Sequence, residues 1–364
     1  MYLCHYYRTW NETKKLKRIL HINSNTEWRG AEQQIQYIIQ QKTTHLEHYL
    51  FCVKDGELYK RNQNKNTIGY NKRFGMDLVA AMQLKKTVRL YKIDVLHLHD
   101  SHAINTYFLA YCLGLNIPCI IHKHVNFPIK NKWKYTLKNI QKIICVSEAA
   151  AQKLMEFIPL EKIVIIPPAI NIQNYQKENN KNINPLKLEL KLDENAILIG
   201  IIAALEKEKN IEEFIKIANI LIEKEKKYHF IIIGDGVLKP SYQNTNANIH
   251  FLGFKNEVPI LLACLNIFLF TSKNEGFGQV ILEAMATKIP IVCRNYEAAQ
   301  EIIQHQKNGY LYNSIQEAIK YIEDIFKQTK QTTLMVENAF ETVQQYDVSL
   351  ILQKMETIYL NIKK

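Results

Sequence analysis

The chain has 364 residues, 47% of them hydrophobic and 23% charged, with a formal net charge of +12. This is an ordinary globular composition, and the length exceeds what one hydrophobic core usually supports, so we expect two domains. No apolar run approaches the ~18 residues of a membrane span, and the opening residues lack the apolar region of a secretory signal. We therefore expect a cytoplasmic protein, at most peripheral at the inner face of the plasma membrane.

The first half of the sequence alternates short β-branched runs with amphipathic stretches. Apolar residues at helical spacing predict helices over residues 31–41 and 78–92. Strands that are apolar on both faces and alternate with helices predict an α/β domain with a parallel sheet covered on each side. The predicted strands cover residues 18–23, 48–53, 94–99, 118–122, 142–147 and 162–167.

A basic segment lies between Asp100 and Glu148, where the sequence has no acidic residue. As a helix, residues 130–142 would place three lysines on one face at i, i+4 spacing, beside an apolar face. Two interpretations stay open: a surface helix whose apolar face is core, and an interfacial helix on anionic lipid. No recognisable nucleic-acid-binding module accompanies the charge, so an anionic membrane surface is the expected partner, and nucleic acid is not. The three lysines are Lys130, Lys134 and Lys138.

The second half repeats the architecture after an Asn-rich linker at residues 171–185. We expect an N-terminal domain over residues 1–175 and a C-terminal domain over residues 186–346. Residues 347–364 carry apolar positions that predict a helix with a surface to cover. The predicted strands of this half cover residues 196–204, 229–234, 249–253, 266–270, 289–293 and 309–312.

The seven cysteines form no C-x-x-C pair and mostly lie inside apolar runs. This pattern is typical of reduced cysteines in a core. A catalytic thiol stays open for one of them, but no cysteine pairs with a histidine at a recognisable spacing.

The stretch NEGFGQVILEAMATKIPIVC, residues 274–293, places Glu275 before a glycine turn and Glu283 inside an otherwise apolar helix. Gly276 and Gly278 let the backbone turn and approach a ligand closely. The helix that follows offers unpaired N–H groups and a partial positive charge, which suit a phosphate. The spacing also fits two other roles: a carboxylate that favours a helix N-terminus for Glu275, and a solvent-facing position for Glu283.

This stretch resembles the E-x7-E signature and following strand of the retaining glycosyltransferases of the GT-B fold, in particular glycosyltransferase family 4. Residues 28–34 (WRGAEQQ) resemble the family's first glycine loop, residues 94–100 (DVLHLHD) the strand with its histidine, and residues 203–210 (AALEKEKN) its phosphate-side loop. The resemblance covers nearly the whole chain. It implies two doubly wound Rossmann-like domains facing across a cleft, with the C-terminal helix crossing back to the first domain.

The resemblance also implies a role for individual residues. Glu275 would bind hydroxyls of the donor sugar, Lys209 would stabilise the leaving diphosphate, and Glu283 would accept the ribose hydroxyls. His99 would lie beside the donor sugar, facing it from the first domain. The other donor-binding residues would be Arg29, Gly30, Lys207, Gly234, Phe277, Gly278 and Gln279.

The reaction that the resemblance implies is hexosyl transfer from a UDP- or GDP-linked sugar, with retention of anomeric configuration. The expected acceptor is a lipid-linked or polysaccharide glycan, as in the assembly of lipopolysaccharide, O-antigen or capsule. Such enzymes require no metal or other cofactor, and the sequence has no D-x-D motif. The resemblance implies that the leaving phosphate would take the acceptor's proton while positive charge on the protein stabilises it.

Three departures from the family's pattern leave alternatives open. Ala204 stands where the family usually has an arginine, and Arg29-Gly30 stands where it usually has Gly-Gly in the first loop. Ala298-Ala299, within residues 297–301 (EAAQE), replaces a second Gly-Gly pair. Lys207 or Arg29 could supply the missing charge. The alternatives are a GT-B-shaped binding protein that has lost transferase activity and a sugar-nucleotide epimerase.

The stretch HLHDSH offers three histidines near an aspartate: His97, His99 and His102. His97 and His99 project from the same side of a strand, and such a group could hold a metal. Without a clear fourth ligand, a partly buried histidine beside a cleft is the commoner case, so no metal site is predicted.

Overall fold

The computed structural model describes residues 16–73, 77–126, 128–129, 131–176, 184–242 and 246–363. Three parts of the sequence predictions lie outside the described residues: the opening residues 1–15, Lys130 of the basic segment, and residues 177–183 of the linker. Among the described residues, no helix combines the length and apolarity needed to cross a bilayer.

The described strands form two parallel sheets. The first has the order β3-β2-β1-β4-β5-β6-β7 and the second the order β10-β9-β8-β11-β12-β13. The strands are β1 (Lys17–Asn23), β2 (Leu46–Val53), β3 (Thr67–Tyr70), β4 (Val95–Leu98), β5 (Cys119–Lys123), β6 (Ile140–Cys145), β7 (Ile163–Ile165), β8 (Ile197–Ile202), β9 (Tyr228–Ile233), β10 (Ile249–Gly253), β11 (Ile267–Phe270), β12 (Ile291–Arg294) and β13 (Tyr310–Tyr312).

Helices connect most consecutive strands, as parallel pairing requires. They are α1 (Gly30–Gln40), α2 (Glu57–Arg61), α3 (Leu78–Leu90), α4 (Ser101–Cys112), α5 (Glu148–Met155), α6 (Ile172–Gln176), α7 (Pro185–Glu189), α8 (Ile211–Lys224), α9 (Val258–Ala263), α10 (Gln279–Thr287), α11 (Glu297–Ile302), α12 (Ile315–Lys327), α13 (Thr329–Gln344) and α14 (Val348–Asn361). Short 3-10 turns cover Lys132–Thr136, Leu160–Lys162, Lys207–Lys209 and Lys239–Tyr242.

The sheets form the cores because their strands are buried on both faces. In β8, Leu198, Ile199 and Ile201 are all fully buried, although Leu198 and Ile199 project to opposite faces. A strand that is apolar on both faces needs helices on each side of its sheet. Each sheet is therefore the centre of a Rossmann-like α/β domain, which confirms the predicted fold class.

The chain divides into two compact units. The first contains Met1–His122, Asn131–Ile143 and Leu352–Lys364, and the second contains Lys123–Lys130 and Ile144–Ile351. The C-terminal part of α14 thus belongs to the first unit, as the predicted return of the last helix requires. There the Lys17 ammonium donates to the carbonyls of Tyr359 and Leu360 at 2.9 and 3.1 Å. The predicted boundaries at residues 175 and 186 stay a prediction.

Strand positions were predicted well, and the basic helix was wrong. All twelve predicted strands are present, and β3 is an additional one. Residues 132–136 form a 3-10 turn and Ile140–Cys145 form β6, since the apolar run there pairs within the sheet. Lys134 is buried and its ammonium donates to Asn105 Oδ1 at 2.6 Å. Among the described residues, Lys134 and Lys138 therefore do not share the helical face that would meet lipid.

Candidate active site

Two loops lie together where the strand order of the second sheet reverses, between β8 and β11. Ligands of open α/β sheets bind beyond the carboxyl ends of the strands at such a point. The Thr271 hydroxyl, after β11, donates to the Lys209 carbonyl, after β8, at 3.0 Å. The Lys273 N–H donates to the Glu208 carbonyl at 3.1 Å. These bonds fix the loop of Lys209 against the loop that leads to α10.

The two loops bring an ammonium and a carboxylate together. Lys209 Nζ lies 2.6 Å from Glu275 Oε1, and the two side chains remain 23% and 16% exposed. The pair is therefore half-buried but still reachable by a ligand. An ammonium here can bind a phosphate oxygen, and the carboxylate can accept hydrogen bonds from sugar hydroxyls. Both residues were predicted to be catalytic, and the structure places them in one site.

A glycine turn connects Glu275 to the start of α10. Gly278 has a φ of 98°, and a Cβ there would lie 2.4 Å from the Tyr296 hydroxyl. A Cβ on Gly276 would lie 2.1 Å from the His124 carbonyl oxygen. Neither position tolerates a side chain without movement. Phe277 between them is buried, and its carbonyl accepts a hydrogen bond from the Tyr296 hydroxyl at 3.1 Å.

The turn presents the N-terminus of α10. Gly278 is the N-cap residue, and no side chain among the described residues caps the helix there. The N–H groups of a helix's first turn have no partner within the helix and carry a partial positive charge. Such a terminus favours an anion, and a phosphate is the usual one.

Glu283 lies one turn further along α10 and is held by two neutral donors. Gln279 Nε2 donates to Glu283 Oε1 at 3.3 Å, and the Tyr175 hydroxyl of α6 also donates to this carboxylate. Burial raises the pKa of Glu283 to about 7, although both hydrogen bonds lower it. The folded protein therefore holds a carboxyl group that ionises near neutral pH. A ligand hydroxyl that donates to it would stabilise the charged form.

The loop after β8 carries its charge on lysines. Ala204 stands where the family resemblance implies an arginine, and its methyl side chain carries no charge. Lys207 is exposed in the same 3-10 turn as Lys209. The predicted Gly234 lies at the turn after β9, against the Ala203 carbonyl, so it borders this loop.

The remaining predicted residues lie in the first unit. The Arg29 guanidinium pairs with the exposed Glu27 carboxylate at 2.6 Å, and Gly30 is the first residue of α1. His99 is buried, with Nε2 3.0 Å from Nδ1 of His21. The donor-binding roles of Arg29 and Gly30 and the catalytic role of His99 stay predictions.

Three contacts of the second unit escaped the sequence predictions. The Ser147 hydroxyl donates to the Gly276 carbonyl at 2.6 Å, the His124 backbone packs on the same glycine, and Tyr175 binds Glu283. Ser147 is the N-cap residue of α5 in the segment ICVSEAAAQKL, residues 144–154, which resembles the family's strand and helix with a Ser-Glu step and could have indicated this contact. Nothing in the sequence near Tyr175 or His124 indicated these contacts.

Comparison with protein families assigns both halves of the chain. Residues 28–174 match the family described as Glycosyltransferase Family 4, and residues 182–342 match Glycosyl transferases group 1. The chain belongs to glycosyltransferase family 4. The protein is therefore a glycosyltransferase, and its Lys209–Glu275 pair lies in the half that matches the group 1 family.

Similar proteins include other glycosyltransferases. This family 4 glycosyltransferase is 26% identical over 316 residues to the alpha-monoglucosyldiacylglycerol synthase of Acholeplasma laidlawii, covering 76% of this chain and 77% of that one. It is 24% identical over 258 residues to the UDP-Gal:alpha-D-GlcNAc-diphosphoundecaprenol alpha-1,3-galactosyltransferase of Escherichia coli, covering 65% and 66%. The fold matches the Anabaena protein HepE, crystallised with UDP and glucose, at a TM-score of 0.80. That match has 19% identity and covers 94% of this chain and 99% of HepE.

Proposed function

We propose that this glycosyltransferase moves a sugar from a UDP-linked donor to a lipid-linked or polysaccharide acceptor, with retention of anomeric configuration. The observation that carries the proposal is the half-buried Lys209–Glu275 pair, 2.6 Å apart, beside the N-terminus of α10. The names of the two relatives support the acceptor class, since one contains diacylglycerol and the other diphosphoundecaprenol. The UDP in the second name, and in the HepE crystal, favours UDP over GDP.

In the proposed reaction the diphosphate lies between Lys209 and the first turn of α10. The bond between the anomeric carbon and the diphosphate oxygen breaks, and a bond forms between that carbon and the acceptor hydroxyl oxygen. The acceptor proton passes to the departing diphosphate oxygen, on the same face of the sugar. Lys209 stabilises the negative charge that develops on the diphosphate, and Glu275 orients the sugar through its hydroxyls. No step uses a metal or other cofactor.

Glu283 binds the ribose hydroxyls in this proposal, and its pKa makes donor affinity depend on pH. With the pKa at about 7, the carboxyl is mostly neutral at pH 6 and mostly ionised at pH 8. Ribose hydroxyls donate best to the ionised form, so affinity for the UDP-sugar should be about tenfold higher at pH 8 than at pH 6. Isothermal titration calorimetry without acceptor measures this ratio.

The titration uses the UDP-sugar because the terminal phosphate of free UDP itself titrates near pH 6. The matched control is Glu283→Gln, which keeps the side-chain size and removes the titration. Its affinity should be weaker and nearly the same at both pH values. A wild-type affinity that does not change with pH, or a variant that keeps the full pH dependence, would contradict the assignment of Glu283.

The outer face of α3 supports peripheral membrane binding at a place other than the predicted one. α3 buries Ala80, Leu84 and Val88 on one side. Six exposed residues occupy an arc of roughly 120° on the other side, at ~100° per residue. They are Leu78, Val79, Met82, Lys86, Arg89 and Leu90, and Leu90 is 67% exposed.

An apolar face with cations beside it suits an anionic lipid surface, where the apolar groups enter the headgroup boundary and the cations meet lipid phosphates. We propose this α3 face as the membrane contact, which would bring the enzyme to a lipid-linked acceptor. The variant Lys86→Gln/Arg89→Gln should bind vesicles containing anionic lipid roughly 30-fold more weakly, at about 1 kcal/mol per charge. Vesicle sedimentation measures this binding, and purely zwitterionic vesicles should show little difference.

The matched control removes two exposed lysines of the mispredicted segment, Lys132→Gln/Lys138→Gln. It loses the same charge and should keep at least half of the wild-type binding to anionic vesicles. Equal losses in both variants would mean that net charge, and not the α3 face, controls the interaction. A loss in the control alone would contradict the α3 assignment.

A thermal-shift panel against UDP, GDP, ADP and CMP, with EDTA present, tests the donor class. A ligand that binds only the native state at ~100 times its Kd adds ~2.7 kcal/mol of stability. We expect a shift with UDP that survives EDTA. A shift with GDP alone would mean that the donor is a GDP-linked sugar. No shift with any nucleotide would favour a binding protein that has lost the phosphate site.

A further inference from the structure

A row of buried imidazoles crosses the first sheet on one face. The rings come from four neighbouring strands of the order β2-β1-β4-β5. His97 and His99 are two residues apart, so both rings project from the same face, and their centroids lie 4.0 Å apart. All the side chains are at most 8% exposed. The rings are His48 from β2, His21 from β1, His97 and His99 at the end of β4, and His122 from β5.

Three of these rings have nitrogen atoms close enough to share one ion. One nitrogen from each of His21, His97 and His99 lies within 4.8 Å of the others, and His21 Nδ1 is 3.0 Å from His99 Nε2. Nitrogen ligands at ~2.0–2.1 Å from a tetrahedral Zn²⁺ are roughly 3.3 Å apart. Small rotations of the rings would therefore bring the three nitrogens to ligand positions.

The second nitrogen of two of these rings is already held by a partner. His21 Nε2 lies 3.0 Å from His48 Nδ1, and His97 Nδ1 lies 2.7 Å from the Tyr359 hydroxyl of α14. Histidine ligands of metals commonly donate their other N–H to such a partner, which fixes the tautomer and the ring orientation. Nδ1 of His21 faces Nε2 of His99, and an ion between them would replace the hydrogen bond that these two nitrogens share.

The chemistry of the rings limits the class of ion. Neutral imidazoles suit Zn²⁺, Co²⁺, Ni²⁺ and copper, whereas Mg²⁺ and Ca²⁺ prefer oxygen ligands. A neutral imidazole has the lone pair that a metal requires.

We propose that His21, His97 and His99 form a buried three-histidine site for a transition metal of the Zn²⁺ class, with His48 and Tyr359 orienting the ligands. In this proposal His99 is a metal ligand instead of the contact to the donor sugar that the family resemblance implies, and the ion has a structural role. It would fix α14, through Tyr359, to strands β1 and β4 in the first unit. This differs from the group HLHDSH, since His102 of that stretch is exposed and His21 takes its place.

The test measures metal binding on tag-free, full-length protein dialysed against EDTA. Zn²⁺ titration calorimetry should find one strong site per chain, and Co²⁺ should give the intense visible absorption of a tetrahedral complex. His97→Asn should abolish both signals. His48→Gln, which changes only an orienting partner, should weaken binding about 10- to 100-fold. The matched control His102→Asn changes an exposed histidine of the same stretch and should bind as the wild type does.

A buried substitution can prevent folding, so each variant is checked by circular dichroism before titration. If His97→Asn does not fold, Tyr359→Phe tests the proposal in its place, because this substitution keeps the ring in the core and removes only the hydroxyl. It should weaken Zn²⁺ binding about 10- to 100-fold. Wild-type protein without a strong site would overturn the proposal and leave the rings as a hydrogen-bonded chain. Undiminished binding by folded His97→Asn, or by Tyr359→Phe when His97→Asn fails to fold, would also overturn it.

Discussion

Replacing Glu275 with alanine is expected to lower kcat/KM for sugar transfer by about 30- to 1,000-fold, which corresponds to ~2–4 kcal/mol of transition-state stabilisation. The carboxylate is only 16% exposed and lies 2.6 Å from Lys209, so its hydrogen bonds to a sugar would form in a partly desolvated place. Charged hydrogen bonds of this kind contribute more than neutral ones. Steady-state kinetics with a UDP-sugar and a lipid-linked acceptor measure the loss.

The affinity for UDP separates this role from a structural one. UDP has no donor sugar, so Glu275→Ala should change its Kd by less than about threefold if Glu275 binds only the sugar hydroxyls. The matched control is Glu208→Ala, an exposed glutamate of the neighbouring loop, which should keep normal transfer. Unchanged transfer by Glu275→Ala would show that the donor sugar binds elsewhere.

Replacing Lys209 with methionine should lower kcat about 10²- to 10³-fold, the usual cost of removing one group that stabilises developing negative charge. Methionine keeps much of the side-chain volume and removes the cation. Lys209 is the lysine that the Thr271 hydroxyl and the Glu275 carboxylate hold in place. Since the diphosphate is present in both donor and product, the affinity for UDP should fall as well.

Two further variants show whether the loss in Lys209→Met is specific to this lysine. Lys216→Met removes an exposed lysine of α8 and should leave kinetics unchanged. Lys207→Met removes the other lysine of the same 3-10 turn, which could replace the arginine missing at Ala204. A larger loss in Lys207→Met than in Lys209→Met would assign the diphosphate to Lys207 and contradict our placement.

Local patterns predicted the strands, and the family resemblance singled out the two glutamates. Alternating β-branched runs located the strands because each run is short, apolar and followed by a turn. The E-x7-E spacing left other roles open for both glutamates, and the family resemblance gave them theirs: Glu275 precedes the glycine turn, and Glu283 lies one turn into α10. Resemblance to the family then supplied Lys209, which no spacing connects to Glu275.

Contacts between distant segments could not be predicted in this way. The Lys209–Glu275 distance depends on the neighbouring positions of β8 and β11, and Tyr175 reaches Glu283 through the packing of α6 on α10. The basic segment had helical spacing, but Ile140–Cys145 gains more from pairing in the sheet. Likewise, His21 and His48 join His99 only because β2, β1 and β4 are neighbours.

The stereochemistry of the transferred sugar tests the central claim most directly. The enzyme would be incubated with α-linked UDP-sugar and a short lipid-linked glycan acceptor, and the new linkage followed by proton NMR. Our account predicts an α-linked product, UDP release in equal amount, and loss of both signals in Lys209→Met. A β-linked product, or conversion of the UDP-sugar to its epimer without any acceptor, would contradict it.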